Sequence, residues 1–117
     1  MGSIRYDGLT THFEDRLLSH LQITIVQKLM RQEPFLMSWK DSANSGDGRS
    51  AIWISPETSI TFKFLGSRVP EINTAWLLQL GESANATTGL IVTKEDGSLA
   101  EAEATGNQYP GNLRARQ

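Results

Sequence analysis

Between residues 11 and 32 the apolar positions Leu17, Leu18, Leu21, Ile25, Val26 and Leu29 recur at three and four residues. That spacing gives one apolar face to a helix. Thr11 and Glu14 have the separation of a capping box, Glu14 and Asp15 suit a helix start, and Pro34 bars continuation. Elsewhere the period falls to two. Residues 3–6 form a short alternating run closed by Asp7-Gly8. Residues 35–40 alternate with Phe35, Met37 and Trp39 on one side. Residues 50–55 set Ile52 and Ile54 against Ala51 and Trp53, and residues 59–65 set Ile60, Phe62 and Phe64 against Thr61 and Lys63. Short links join these three, which predicts an antiparallel meander. Helical spacing returns over 70–85, where Ile72, Trp76, Leu80 and Ala84 share a face behind Pro70. Residues 89–94 give a last strand.

The order β-α-β-β-β-α-β predicts an α+β fold. It is read as a two-layer sandwich, a mostly antiparallel sheet of about five strands with two helices on one face. The domain covers 1–94. Residues 95–117 are polar and carry four acids by residue 103, so they read as a flexible C-terminal tail. Tyr109 and Leu113 are its docking candidates. With the apolar side chains committed to holding two helices on one sheet, no deep cleft is expected.

The 117 residues fit one domain with a modest core. There is no cysteine, hence no disulfide and no thiolate metal site. The formal net charge is −2 and the basic residues are scattered, which argues against nucleic acid as a partner. No apolar run is long enough for a membrane span, and residues 1–8 lack the apolar core of a signal peptide, so the expected compartment is the cytoplasm.

Candidate chemistry is thin. His12 and His20 stand eight residues apart on the expected helix, about 12 Å at ~1.5 Å per residue, too far to share a metal. Ser38, Ser50 and Ser55 lack a nucleophile motif, and His20 is expected to face partly outward. Residues 42–50 have the composition of a phosphate loop but no Gly-Lys-Ser/Thr ending and no following helix, so they read as a hairpin connection. Arg49, at the end of that loop, is a candidate for holding an anionic group. Lys94-Glu95-Asp96-Gly97 matches the Lys-x-Asp-Gly stretch of nucleotidyl-lysine enzymes. Only 23 residues follow Lys94, and they hold no strand pattern for the charge-stabilising groups that such chemistry needs. No metal and no cofactor is expected. Trp53, turned away from Ile52 and Ile54, is expected to leave an apolar spot on the outer sheet face unless the tail or the 41–49 loop covers it. Stacking of a base on Trp53 is a further option that the missing basic flank weakens.

Several short patterns recur together. They are Ser38-Trp39, Gly48-Arg49-Ser50 followed by Ile52-Trp53, Phe62-x-Phe64, Asn73-x-x-Trp76, and Ser83-Ala84-Asn85 with Gly89-Leu90. In these, residues 1–94 resemble a family of small uncharacterised actinobacterial proteins. Met37 departs from that pattern, since a bulkier or branched residue is more usual there. Members often carry the automatic label "ATP-dependent DNA ligase", and the resemblance implies that label without implying the activity. It also directs attention to Arg49, Trp53, Asn73 and Asn85 as binding candidates. The resulting expectation is a non-catalytic interaction or oligomerisation module. It would pair as a homodimer, or with a protein partner, through the exposed sheet face or an edge strand. A nucleotide- or nucleic-acid-associated protein using Lys94 or Arg49 is the alternative.

Overall fold

The computed structural model describes residues 1–106; Tyr109 and Leu113 lie outside them. The chain starts with a hairpin, β1 (Gly2–Tyr6) against β2 (Leu9–Phe13), paired from Gly2↔Phe13 to Tyr6↔Leu9. Asp7 and Gly8 both take positive φ, 51° and 84°, as a two-residue hairpin turn of matching twist requires. Helix α1 therefore begins at Asp15, not at residue 11, and ends at Met30. Thr11 is a buried residue of β2, so the capping box does not form. Glu14 is the N-cap, and its side chain makes no capping bond. Asp15 instead accepts from the Leu65 and Gly66 amides at 3.0 and 2.8 Å, fixing the loop that crosses the helix start.

β3 (Phe35–Asp41) and β4 (Arg49–Ile54) form the expected antiparallel hairpin, in register from Phe35↔Ile54 to Lys40↔Arg49. β5 (Ile60–Lys63) departs from the expected meander. It pairs with β1, from Ser3↔Lys63 to Tyr6↔Ile60, and not with β4. Helix α2 runs Thr74–Asn85, starting after Asn73 and not at Pro70. The Asn73 side chain accepts from the Ala75 and Trp76 amides at 3.0 and 3.2 Å, which places the first turn there.

The last expected strand, 89–94, keeps its ladder only at β6 (Leu90–Ile91), parallel to β3. Gly89 precedes it at φ 80°, where a Cβ would lie 2.5 Å from the Leu36 carbonyl oxygen. After Val92 the chain leaves the sheet, turns at Lys94–Gly97, and returns through the Thr93↔Leu99 bridge. The Val92 amide donates to Ser38 at 2.9 Å, the Lys40 amide to Ala100 at 3.2 Å, and the Ala100 amide to Val92 at 3.1 Å. Residues 93–99 are thus a small hairpin inserted into what is otherwise one strand. That strand continues as β7 (Glu101–Gly106) inside the stretch expected to be tail. β7 runs parallel to β3 at Lys40↔Glu101 and antiparallel to β2 from Leu9↔Gly106 to His12↔Glu103.

Among the described residues the sheet is therefore mixed and seven-stranded, larger than the expected five, in the order β4-β3-β7-β2-β1-β5 with β6 beside β3. β4 and β5 stand at opposite ends of that order although residues 55–59 alone join them. Five strand spacings of about 4.8 Å come to about 24 Å, slightly more than the ~20 Å reach of the link. The sheet must curl, and the Ser55 amide reaches the Tyr6 hydroxyl on β1 at 2.8 Å. The inner side chains of the strands and the buried faces of both helices form one core, with Phe13, Leu18, Leu21, Met37, Trp39, Ile54, Leu80 and Val92 among its members. Both helices and the mixed sheet give an α+β fold. Among the described residues no helix is long and apolar enough to cross a membrane.

Candidate functional site

The candidate residues fall in three places. Arg49 and Trp53 share β4 and one face of it. Their register partners on β3 are Lys40 and Leu36, so alternation puts Leu36, Lys40, Arg49, Ala51 and Trp53 on the outer side of the sheet. Ile54 on the inner side is buried, whereas Trp53 is 60% exposed. Neither the 41–49 loop nor any other described segment covers it. Lys40 is neutralised by Asp47 at 2.9 Å and Glu101 at 3.2 Å. Arg49 is exposed and has no hydrogen bond or ion pair among the described residues.

The backbone of β4 is equally unengaged. Gly48 accepts from the Asp41 amide at 2.8 Å, which fixes the ladder phase. With the observed register, residues 50, 52 and 54 bond toward β3, and the amides and carbonyls of Arg49, Ala51 and Trp53 point away from it. No strand lies on that side among the described residues. An edge of this kind, holding neither proline nor an inward charge, is a template for further pairing.

Asn73 and Asn85 belong elsewhere. Asn73 caps the start of α2 and Asn85 is its last residue, about 18 Å apart along its axis. Asn85 accepts from Lys28 at 3.0 Å, tying the end of α2 to α1. Asn73, besides capping α2, donates through its side-chain amide to Glu95 at 2.8 Å. The structure does not gather Arg49, Trp53, Asn73 and Asn85 into one polar site.

Asn73 instead belongs to a network that the sequence did not reveal. Arg16 meets Glu95 through two bonds at 2.6 and 3.2 Å and donates to the Glu71 carbonyl at 2.6 Å. These partners hold the Glu95 carboxyl down to about 2, first through the Arg16 bond and then through Asn73. His20, expected to face partly outward, is fully buried. Its Nε2 accepts from the Asn73 amide at 2.9 Å, so the proton sits on Nδ1, facing the Arg16 carbonyl at 2.7 Å. The ring packs on Trp76 with centroids 4.3 Å apart, and the Trp76 Nε1 donates to Thr93 at 3.1 Å. The sequence offered a single hint, the i, i+4 spacing of Arg16 and His20 on α1. Their partners lie more than fifty residues away.

Below the inserted hairpin lies a cleft of about 510 Å³, contrary to the expectation that none would open. Its floor includes Phe13, Leu17, Trp76 and Ala100. It opens because residues 93–99 leave the sheet and stand over the start of α1. Lys94 is on its rim and is exposed, without an ion pair among the described residues. Glu14, Glu95, Asp96 and Glu101 also line it, together with Met1 and with Arg16, which is already bound to Glu95. A cleft whose lining holds four carboxylates is poorly suited to a polyphosphate. No described group of three or more histidines and carboxylates could hold a metal ion.

No curated protein and no solved structure matches the chain. A family does, and it carries no assigned activity: the chain belongs to the family described as Domain of unknown function (DUF7882), which matches residues 1–95.

Proposed function

We propose that this chain is a non-catalytic interaction module of the cytoplasm that self-associates through the outer corner of its sheet. One observation carries the reading: Trp53 is 60% exposed on a strand whose outer edge is unpaired among the described residues. A large aromatic side chain in water forgoes its burial energy, and such residues are enriched where partners bind. Sedimentation velocity over a range of concentrations tests it. The native chain is expected to shift toward a larger species as concentration rises, and Trp53→Ser to move that shift to higher concentration. A native chain that stays monomeric up to about 1 mM, where association would be worth less than about 4 kcal/mol, overturns the reading.

A second reading rests on the cleft. Lys94 on its rim supports a nucleotide-associated role of the kind that the ligase label would suggest. The four carboxylates in the cleft lining count against it. Incubation with labelled ATP decides: label on the native chain but not on Lys94→Ala would favour this second reading over the first.

A further inference from the structure

We infer that two copies of the chain pair antiparallel through β4, centred on Ala51, with Arg49 of each copy against Trp53 of the other. This rests on the self-association reading above and specifies its geometry.

Arg49, Ala51 and Trp53 present outward amides and carbonyls on β4, and their side chains share the outer face. A two-fold axis through Ala51 sets Ala51 opposite Ala51 and Arg49 opposite Trp53, twice. Every outward backbone group then meets a partner, since each such opposed pair exchanges two bonds. Other registers do worse. Centring on Arg49 brings two guanidinium groups together. Centring on Trp53 runs the pairing past the strand to Ser55–Glu57, where Pro56 interrupts it. Centring on Ser50 or Ile52 leaves one outward residue without a strand partner and separates arginine from tryptophan. The Ala51 register alone engages the whole strand and gives the free guanidinium an aromatic face. The far end of the sheet is less suited. β5 has four residues, and its Lys63 and Thr61 are exposed. A four-residue edge strand offers fewer backbone groups to a partner than the six-residue β4.

The absence of cysteine makes the test clean. Ala51→Cys is expected to form a covalent dimer under mild oxidation far faster than Lys63→Cys. Opposed Cα atoms in a hydrogen-bonded antiparallel pair stand about 5.5 Å apart, within disulfide reach. Ala51→Pro removes an outward amide without touching the β3 ladder and is expected to be monomeric where the native chain is dimeric. Circular dichroism checks its fold, and should it unfold, the cysteine pair decides alone. Arg49→Ala is expected to raise the dimer Kd by about 5- to 30-fold through two lost cation–π contacts. If Trp53→Ser abolishes association while Ala51→Cys cross-links no faster than Lys63→Cys, this geometry is wrong and the interaction reading stands. If the native chain is a strict monomer, both fall.

Discussion

At the hairpin corner Arg16, His20, Asn73, Trp76 and Glu95 all find partners within the chain, whereas along β4 Arg49, Trp53 and the outward backbone groups find none among the described residues. The first corner joins α1, α2 and the 93–99 insert, three segments that share no strand ladder with one another. Its polar side chains do the work that a ladder does elsewhere. The β4 corner needs no such help, because β3 already fixes the strand. What its outward groups contribute to the fold is small, which leaves them available to a second molecule. Polar groups with internal partners report on stability, and those without report on association.

Substitutions that separate these two roles should rank accordingly. The largest effect is expected from Trp76→Ala. It removes a buried ring, its stack on His20 and its bond to Thr93, at a cost of about 3–5 kcal/mol by denaturant unfolding. Next is Asn73→Ala, which deletes the α2 cap and is expected to cost about 1 kcal/mol in the same assay. The Glu95 contribution should appear as a pH effect. Its folded pKa lies below the ordinary carboxylate value of 4.5, at about 2. The stabilisation is therefore complete above the ordinary value and is lost as pH falls through about 2. Melting temperatures of the native chain and Glu95→Gln should converge as the solution is acidified through that window. The smallest effect is expected from Trp53→Ser. At concentrations low enough for monomer, its stability should stay within about 0.5 kcal/mol of native, although association changes. A large loss of monomer stability there would erase the contrast between the corners.

Much of the fold was legible because the strong signals were local. Asp7-Gly8 marked a turn, α1 and α2 had helical spacing, and the outward setting of Trp53 followed from alternation alone. Two errors share a cause. The helical pattern was carried back to Thr11, which hid β2, although Thr11 and Phe13 alternate inward there. β7 was taken for tail because Ala and Glu dominate it. Yet Ala100 and Ala102 alternate inward against Glu101 and Glu103, and pairing with β2 and β3 overrides their low strand preference. The placement of β5 beside β1 could not be read from a short link, since link length does not show that a sheet curls. The Arg16–Glu95–Asn73 cluster was hidden for a further reason. Nothing in a one-dimensional pattern connects a helix start to an insert 79 residues later.

The family match ends at residue 95, on the turn of the inserted hairpin, six residues before β7 begins. Among the described residues β7 is the one strand whose ladders join the β4-β3-β6 and β2-β1-β5 halves of the sheet. A protein trimmed at that limit would keep both helices and six strands but would be left with two separate ribbons, each with a fresh open edge. Those edges would invite indiscriminate aggregation, so any measurement of pairing through β4 calls for a chain that runs at least through Gly106.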